Sequence, residues 1–484
     1  MSTRKNVLIV GSGGREHALA AKMAESPSVG KLLISPGNDG IAAWAETLTA
    51  ASGARVPEIR CVPLPTLRSD GWGRRTFESL SETAHSEGID LVVIGPDDPL
   101  ALGVTDFLEA KGLCVFGPSR SAARLEWSKA FAKEILREVC VPTARSVEVT
   151  SGGEIASALV KIGTVGTIDA IGAIGAIGAI SATGATGALG KAPYVVKADG
   201  LALGKGVEIH ETVLGAERAA RGFLEKHGRV VIEEFLQGEE VSVLALCDGF
   251  SASLFETARD YKRAFDGGEG PNTGGMGAYS PVSKFETAPW KKRFLSEVFE
   301  PVLREMRRRG TPFKGVLYAG LMVAGNQFWV LEFNARFGDP ETQVLLPRVD
   351  DDLFLWLDAC ARGTLGRLSR EIPMTKNSTV SVTLAAKGYP DCPTLGTALP
   401  ALRSFAYRDA ARVFAAGLKR RSKTGAAADT DVSGNGFVTN GGRVLHVVGE
   451  GATLDRAKAN AYERLREVLS VPTSGVFFRK DIGS

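Results

Sequence analysis

Residues 331–343 have the sequence Leu-Glu-Phe-Asn-Ala-Arg-Phe-Gly-Asp-Pro-Glu-Thr-Gln and directly follow the apolar run Phe328-Trp329-Val330. The apolar run predicts a β-strand, in which alternate side chains share one face. Glu332, Asn334 and Arg336 therefore lie on the same face. A carboxylate and an amide carbonyl are oxygen ligands that suit Mg²⁺, and a planar guanidinium suits phosphate. The stretch predicts a metal–nucleotide site, whereas one Glu-x-Asn by itself would indicate only a strand that ends in a polar turn.

The bulk composition is that of a multidomain enzyme without an unusual partner. At 484 residues the chain is too long for one hydrophobic core, and about three domains are expected. A net charge of +3 gives no reason to expect nucleic acid or membrane as a partner. Six scattered cysteines predict free, mostly buried thiols, and five histidines without ligand spacing argue against zinc. No signal or transit segment precedes the first strand, so a cytoplasmic location is expected.

Three predicted strands near the amino terminus, Asn6–Val10, Leu32–Ser35 and Asp90–Ile94, each end in a polar turn rich in Gly or Pro. This arrangement predicts a doubly wound parallel sheet with its ligand at the carboxyl edge. The first turn, Gly11–His17, suits a sugar phosphate, with Arg15 adding positive charge. An oxidoreductase that uses this turn for a dinucleotide is the competing interpretation. It is disfavoured because Glu16 replaces the third glycine of that fingerprint.

Two segments are predicted to be insertions. Residues 51–76 are longer than the expected connection and are interpreted as a surface insertion. In the tract 162–190, isoleucine recurs every third residue from Ile168 to Ile180 among Gly and Ala, a period that fits neither helix nor strand. We interpret this tract as an expanded surface loop. The alternative is that its isoleucines pack on a lid or on a partner subunit.

A second phosphate-binding element is predicted around Lys197. Lysine within an apolar strand is costly unless an anion pairs with it, and a glycine-rich loop, residues 200–206, follows that strand. The loop is one residue too short between Gly200 and Gly204 for a Walker A sequence, and Gly206 replaces the hydroxyl residue that would hold Mg²⁺.

The run Arg336–Val344 resembles the signature of the phosphoribosylamine–glycine ligase family, which belongs to the ATP-grasp superfamily. The segments Gly270–Pro281 and Asn440–Arg443 match the family as well. The resemblance implies an α/β protein with an N-terminal doubly wound parallel-sheet domain, an ATP-grasp core with a lid subdomain, and a C-terminal α+β domain. The expected boundaries are 1–123 for the substrate domain, 124–348 for the ATP-grasp domain with its lid at about 143–235, and 349–484 for the C-terminal domain.

The resemblance also implies an activity and a set of ligands. Members join glycine to 5-phosphoribosylamine in purine biosynthesis and split ATP to ADP and phosphate, with glycyl phosphate as the intermediate. The implied cofactor is Mg²⁺, with Mn²⁺ as the alternative, and the implied partners are these small molecules rather than nucleic acid or membrane. A monomer is expected, with a dimer as the alternative.

The site residues implied by the resemblance fall into four groups. The substrate-binding group is Gly13, Gly14, Arg15, Glu16, Asn38, Gly40, Gly95, Pro96, Asp97, Lys262, Asn272, Thr273, Gly274 and Gly275. The ATP-binding group is Lys129, Lys197, Gly204, Lys205, Gly206, Glu234, Phe235, Leu236 and Glu240. Glu239 is an equal candidate to Glu240 for the ribose hydroxyls. The catalytic group is Arg263, Arg336 and Asp339, and the metal ligands are Glu332 and Asn334. We also expect the N–H groups of the 270–281 loop to be free for an anion.

The sequence departs from the family pattern at four positions. Asp97 stands where Glu is usual, Tyr261 where His is usual and Gly268 where Asp is usual, and Ala415 replaces the His of a Phe-His-Ala-Gly sequence. The departures at Gly268 and Ala415 suggest a non-catalytic regulatory ATP binder as a second competing interpretation. Retention of Glu332 and its neighbours along the signature strand argues against it.

Overall fold

The computed structural model describes residues 4–51, 56–163, 193–200, 206–399, 402, 405, 408, 410–421, 436–470 and 473–484. The chain forms two compact units. The larger contains residues 1–123, 240–320 and 333–484, and the smaller contains residues 124–239 and 321–332. The division into three domains at residues 123 and 348 stays a prediction.

The first part of the larger unit alternates strands and helices. In chain order these are β1 (Lys5–Gly11), α1 (Gly14–Ala24), β2 (Val29–Pro36), α2 (Asp39–Ala51), β3 (Glu58–Cys61), α3 (Pro65–Asp70), α4 (Arg74–Ser86), β4 (Leu91–Ile94), α5 (Asp97–Ala101), α6 (Val104–Glu109) and β5 (Val115–Phe116). The strands form a parallel sheet in the order β3-β2-β1-β4-β5. The predicted doubly wound sheet is confirmed. The strand order reverses between β1 and β4, where ligands bind in such sheets.

The surface-insertion interpretation of residues 51–76 is wrong in part. Strand β3 lies in this segment and pairs with β2 as the edge strand of the parallel sheet, with Ile59 buried. The four-residue strand is too short to give a clear periodic signal, because Glu58 and Arg60 on its outer face flank a single apolar residue.

The smaller unit begins with helices α7 (Arg124–Trp127) and α8 (Lys129–Glu138). It continues with β6 (Ser146–Val149), α9 (Ile155–Gly163), β7 (Tyr194–Ala198), β8 (Val207–His210), α10 (Val213–His227) and β9 (Val230–Glu234). The strands form an antiparallel sheet in the order β6-β9-β7-β8, and apolar residues of α9 and α10 pack against it. The amphipathic pattern of residues 124–139 by itself predicts one helix from Arg124 to about Val139. The structure divides it at Ser128, whose extended backbone and hydroxyl cap α8 by accepting from Phe131 N.

The chain then forms β10 (Glu239–Asp248), β11 (Ala252–Leu254), β12 (Arg259–Asp260), β13 (Arg263–Phe265), β14 (Glu269–Asn272), β15 (Gly277–Ser280), α11 (Ala288–Arg293), α12 (Glu300–Arg308), β16 (Lys314–Ala324), β17 (Gln327–Asn334), α13 (Glu341–Leu345) and α14 (Leu353–Ala361). A four-stranded sheet has the order β11-β10-β16-β17, and β13 and β14 form a separate hairpin. Strand β17 confirms the predicted strand of the signature.

The last part of the larger unit contains β18 (Ser378–Ala386), β19 (Ala398–Leu399), β20 (Ala411–Ala415), β21 (Leu418–Arg420), β22 (Phe437–Thr439), β23 (Arg443–Gly451), α15 (Leu454–Val468) and β24 (Val476–Phe477). A sheet of order β12-β15-β18-β23-β20, with β24 beside β18, is covered by α15. The sequence predicts Thr453 as a helix cap because its residue type favours that position, and the prediction is confirmed: the Thr453 hydroxyl accepts from Arg456 N at the start of α15.

Three further expectations concern the whole chain. All six cysteines are free as predicted, but only Cys247 and Cys360 are buried, so the expectation of mostly buried thiols is wrong. Most of the isoleucine tract, from residue 164 to 190, lies outside the described residues. Among the described helices, none has the length and apolarity needed to cross a membrane.

Candidate active site

The glycine turn after β1 is held closed by Glu16. The Glu16 carboxylate accepts from Gly13 N at 2.6 Å and from Arg15 Nε at 2.7 Å. Its side chain packs against Gly11 and Gly95, and a Cβ atom at Gly95 would lie 2.1 Å from Glu16 Oε1. A side chain at Gly95 would therefore have to displace Glu16. Both Glu16 oxygens have protein partners, and this carboxylate joins the first and third turns of the sheet edge.

Asn38 orders the second turn with its whole side chain. Its Oδ1 accepts from the backbone N atoms of Gly40 and Ile41, at 2.8 and 2.9 Å. Its Nδ2 donates to Ser12 O at 2.7 Å and to Ala416 O at 3.0 Å. The prediction placed Asn38 and Gly40 at the substrate. The structure shows that Asn38 fixes the start of α2 and ties it to the neighbouring loops.

Arg15, Arg336 and Asp97 meet at the same sheet edge. Burial raises the pKa of Asp97, but the guanidinium groups of Arg336 and Arg15 outweigh that effect and hold the pKa below its usual value. Arg15 Nη1 donates to Phe337 O at 3.1 Å, and Arg336 Nη2 donates to Asn334 Oδ1 at 3.1 Å. The structure thus brings together predicted residues from the first turn, the third turn and the signature segment. An ionised Asp97 is suited to accept from hydroxyl groups, and the two arginines are suited to an anion.

Asp339 lies at the centre of a buried network that sequence reasoning did not assemble. Arg443 Nη2 lies 3.1 Å from Asp339 Oδ2, Gln343 Nε2 donates to Oδ1 at 2.7 Å, and His446 Nε2 lies 3.5 Å from Oδ1. Burial raises the pKa of Asp339, but Arg443, His446 and Arg15 outweigh it and the pKa is about 2. Asp339 is therefore a carboxylate at every physiological pH. Arg443 belongs to a segment that matches the family, but His446 gave no signal because it lies within an apolar strand.

A second acidic group lies beside the signature. Glu341 is buried and accepts from the Tyr318 hydroxyl at 2.6 Å and from Ser242 Oγ at 3.2 Å. Asp260 Oδ1 is buried and has no hydrogen-bond partner among the residues that the structure describes. Burial raises the pKa of Asp260 well above its usual value, and the charge of Glu341 adds to this effect. Within the described part of the chain, Asp339 contacts an arginine, whereas the partners of Glu341 are two hydroxyl groups.

The backbone of the 270–281 loop is bonded to the protein rather than free. Thr273 N donates to Lys262 O at 2.7 Å, Gly274 N to the Tyr389 hydroxyl at 2.9 Å, and Gly275 N to Thr273 Oγ1 at 3.0 Å. The expectation of free N–H groups is wrong for these residues. A turn sequence rich in glycine does not reveal which acceptors other strands will supply.

Two charged side chains beside this loop also have partners. Arg263 Nη1 donates to Gly270 O at 2.6 Å, and Arg263 pairs with Asn272 across the β13–β14 hairpin. Lys262 Nζ lies 3.2 Å from Glu240 Oε2. The predicted residues Lys262 and Glu240 are therefore adjacent, and both side chains are partly exposed.

Lys197 in the smaller unit shares a buried carboxylate with a second lysine. Glu233, which is 1% exposed, lies 3.0 Å from Lys197 Nζ and 3.2 Å from Lys133 Nζ. Lys197 also donates to Leu331 O at 2.9 Å. Burial lowers the pKa of Lys133 to about 8, although Glu233 opposes this effect. The predicted anion for Lys197 is thus supplied first by the protein, and sequence reasoning missed both Glu233 and Lys133.

Other predicted nucleotide contacts are placed along the same unit. Lys129 is the first residue of α8 and donates to Glu126 O at 3.0 Å. Residues 234–236 leave β9, with Phe235 exposed and Glu234 bound to Arg145 N at 2.8 Å. Gly206 is buried, whereas Gly204 and Lys205 lie outside the described residues.

Glu332 and Asn334 are half-buried residues near the end of β17, with Phe333 buried between them. Because side chains alternate along a strand, the two oxygen-bearing side chains lie on the same face of β17. No cluster of three or more His, Cys, Asp or Glu side chains suited to a metal occurs within the described part of the chain. Two oxygen ligands without a full protein cage fit a Mg²⁺ ion that takes its other ligands from phosphate and water.

Comparison with known proteins identifies the family over nearly the whole chain. Residues 5–126 match the N domain of phosphoribosylglycinamide synthetase, residues 127–342 its ATP-grasp (A) domain and residues 379–484 its C domain. The phosphoribosylamine–glycine ligase of Streptomyces coelicolor is 39% identical over 485 residues, covering 99% of this chain and 98% of the relative. The Nostoc enzyme of the same name is also 39% identical, over 483 residues, with 99% and 98% coverage.

Solved structures agree with the sequence relatives. The crystal structure of phosphoribosylamine–glycine ligase from Thermotoga maritima matches with a TM-score of 0.70 and 30% identity, covering 98% of this chain and 99% of that one. The biotin carboxylase domain of Hydrogenobacter thermophilus 2-oxoglutarate carboxylase, at 16% identity and TM-score 0.63 over 99% and 92%, shares the fold alone. The predicted fold class is confirmed. The chain belongs to the phosphoribosylamine–glycine ligase family of ATP-grasp enzymes, which use ATP with a divalent metal ion.

Proposed function

We propose that this protein joins glycine to 5-phosphoribosylamine through glycyl phosphate and releases glycinamide ribonucleotide, ADP and phosphate. The observation that carries the proposal is the charge imbalance around Glu233. Among the described residues, two ammonium groups contact one buried carboxylate there, at 3.2 and 3.0 Å, so these contacts hold one more positive charge than negative charge. Burying an uncompensated charge is costly. A polyanionic triphosphate beside Lys197 supplies the missing negative charge.

The amine substrate is proposed to bind at the carboxyl edge of the parallel sheet. Arg15 is suited to its phosphate, together with the amino end of α1. Asp97, which Arg336 and Arg15 keep ionised, is suited to accept from ribose hydroxyls. The remaining predicted substrate contacts stay proposals: Gly13, Gly14, Glu16, Asn38, Gly40, Gly95, Pro96 and the 272–275 segment. Glu16 and Asn38 also shape the turns.

The proposed chemistry requires positioning and charge neutralisation more than covalent participation by the protein. The glycine carboxylate attacks the γ-phosphorus of ATP, and the bond to the β–γ bridging oxygen breaks to release ADP. The amine of phosphoribosylamine then attacks the acyl carbon, and the carbon–oxygen bond breaks to release phosphate. Arg263 and Arg336 are proposed to stabilise the charge that develops on the transferred phosphoryl group. Asp339, an ionised carboxylate, is proposed to orient the substrate through Arg443.

Glu332 and Asn334 are proposed to hold the divalent ion, with Mg²⁺ as the first candidate and Mn²⁺ as the alternative. The ion supplies charge neutralisation at the phosphate oxygens when it is bound. For the ribose of ATP we propose Glu240, which lies beside Lys262, with Glu239 as the alternative. Monomeric action in the cytoplasm, without nucleic acid or membrane, stays a prediction.

A coupled ADP-release assay tests the proposal directly. Turnover is expected only when ATP, Mg²⁺, glycine and freshly prepared phosphoribosylamine are all present. The control reactions omit each component in turn and replace glycine with formate or with bicarbonate. Equal turnover with formate or bicarbonate would assign the protein to another ATP-grasp carboxylate-activating reaction. Absence of turnover with the complete mixture would support a regulatory ATP binder.

A further inference from the structure

His446 is a buried histidine in contact with the proposed substrate turn. It lies on β23 and is 0% exposed. A Cβ atom placed on Gly14 would lie 2.4 Å from His446 Cδ2 and 2.7 Å from His446 Nε2. The imidazole therefore packs directly against the glycine turn that begins α1. His446 is not among the site residues predicted from the sequence.

The two ring nitrogens of His446 have unequal surroundings. Nδ1 lies 3.0 Å from Thr383 Oγ1, a distance that allows a hydrogen bond. Nε2 lies 3.5 Å from Asp339 Oδ1 and has no hydrogen-bond partner among the described residues. A buried ring nitrogen without a partner is unfavourable. In the tautomer whose Nδ1–H donates to the Thr383 hydroxyl, Nε2 carries no proton, and it becomes a donor to Asp339 when the ring is protonated.

We propose that His446 is a positioning residue of the amine-substrate site: it takes up a proton when the substrate phosphate reaches the Gly13–Gly14 turn, and the imidazolium then bridges Thr383 and Asp339. The inference rests on the proposed function, because that function places a phosphate at this turn. The bridge holds Asp339 in place while the negative charge of the phosphate stabilises the imidazolium. Proton uptake thus coincides with occupation of the site.

The charges that face His446 are consistent with this behaviour. Asp339 raises the pKa of His446 and Arg443 lowers it, but burial dominates and brings the pKa to about 4. The Gln343 amide on α13 and the Thr383 hydroxyl on β18 are neutral. On α1, Arg15 and Glu16 bond to each other at 2.7 Å. The ring is therefore neutral at pH 6.5 in the free protein, and an added phosphate dianion raises its pKa.

Isothermal titration calorimetry of the full-length protein with ribose 5-phosphate measures the proton directly. Titrations at pH 6.5 in buffers of different ionisation enthalpy give the number of protons bound per ligand. The phosphate ionises with a pKa of about 6, but its contribution cancels when variants are compared. The wild type is expected to take up more protons per ligand than His446→Asn, with one proton as the upper limit. The matched control His85→Asn, at a surface histidine bonded to Ser81 O and Lys111 O, should equal the wild type.

A second variant covers the case in which His446→Asn does not fold. Thr383→Val keeps the imidazole and removes the oxygen beside Nδ1, so proton uptake should fall by at least half. Equal uptake in the wild type and in the folded variants would overturn the inference. Failure of the wild type to bind ribose 5-phosphate would overturn it together with the substrate assignment. Normal proton uptake without any ADP release would sustain the role of His446 and reject the proposed function.

Discussion

Replacing Glu233 with Gln tests the buried charge cluster that supports the nucleotide assignment. The change keeps the size of the side chain but removes the negative charge that contacts Lys197 at 3.0 Å and Lys133 at 3.2 Å. Removing one partner of a buried ion pair costs about 3–5 kcal/mol. A factor of ten corresponds to about 1.4 kcal/mol. The equilibrium constant for opening of the four-stranded sheet β6-β9-β7-β8 should therefore increase roughly 100- to 4000-fold.

Hydrogen exchange measured by mass spectrometry reports this opening locally. Peptides that cover β7 and β9 contain the backbone amides next to the cluster, and their protection should fall by the stated factor. The matched control is Glu217→Gln, which removes an exposed i,i+4 pair with Arg221. Such a pair contributes about 0.2–0.5 kcal/mol, so the control should change protection about twofold at most. Protection in Glu233→Gln within about threefold of the wild type would refute the reasoning.

Two extensions separate charge from packing. In the double variant Glu233→Gln with Lys133→Met, one of the two uncompensated positive charges is gone, so part of the lost protection should return.

The pH dependence of the stability of this region has a defined sign in the wild type. The pKa of Lys133 is about 8 in the folded protein and about 10.4 in an unfolded chain. The unfolded chain therefore binds more protons between these values, and the stability of this region should rise with pH across that window.

Three further predictions concern the active site and the isoleucine tract. Glu332→Gln should fold normally and lose ADP release by at least about 100-fold, because an amide cannot supply charge to the divalent ion; near-normal turnover at saturating Mg²⁺ would show that the metal lies elsewhere. The pKa of Asp339 is about 2 in the folded protein and about 3.9 in an unfolded chain. The contribution of its ion pairs to the free energy of unfolding should therefore be fully present above pH 4 and should be lost as the pH falls from 4 to 2. Asp339→Asn should flatten that part of the acid denaturation curve, and an unchanged curve would contradict the assignment. Deleting Ile171–Gly187 and bridging with a Gly/Ser linker should leave kcat and the KM for ATP within about tenfold; a larger loss would assign the tract to the working enzyme.

Local patterns predicted the elements that carry a strong periodic signal. The strands Asn6–Val10 and Leu32–Ser35, and the helix that Thr453 caps, are present because apolar spacing and cap chemistry act within a few residues. Short elements and breaks within helices were harder to predict from the sequence. Strand β3 contains one buried apolar residue, and Ser128 ends α7 through an extended backbone that its sequence context does not demand.

The candidate site was predicted where its residues are close in sequence or match the family. Glu332, Asn334 and Arg336 share a face of β17 or its extension because side chains alternate along a strand. The N–H groups of the 272–275 loop were predicted to be free, but Lys262 O and the Tyr389 hydroxyl accept from them. Their acceptors come from distant parts of the chain, so a local pattern could not reveal them.

The sequence alone determined the family, the alternation of strands and turns at the amino terminus, and the residue types offered to phosphate and metal. Only the tertiary structure decided which charges meet. His446 lies 107 positions beyond Asp339 in the sequence, yet their side-chain atoms are 3.5 Å apart, and Glu233 joins two lysines that lie 64 positions apart. Hydrophobic periodicity fixes which face of an element is buried, but long-range sheet order fixes which elements adjoin. Because pair energies and pKa values depend on distances of a few ångströms and on burial, the electrostatics of this protein follow from that order.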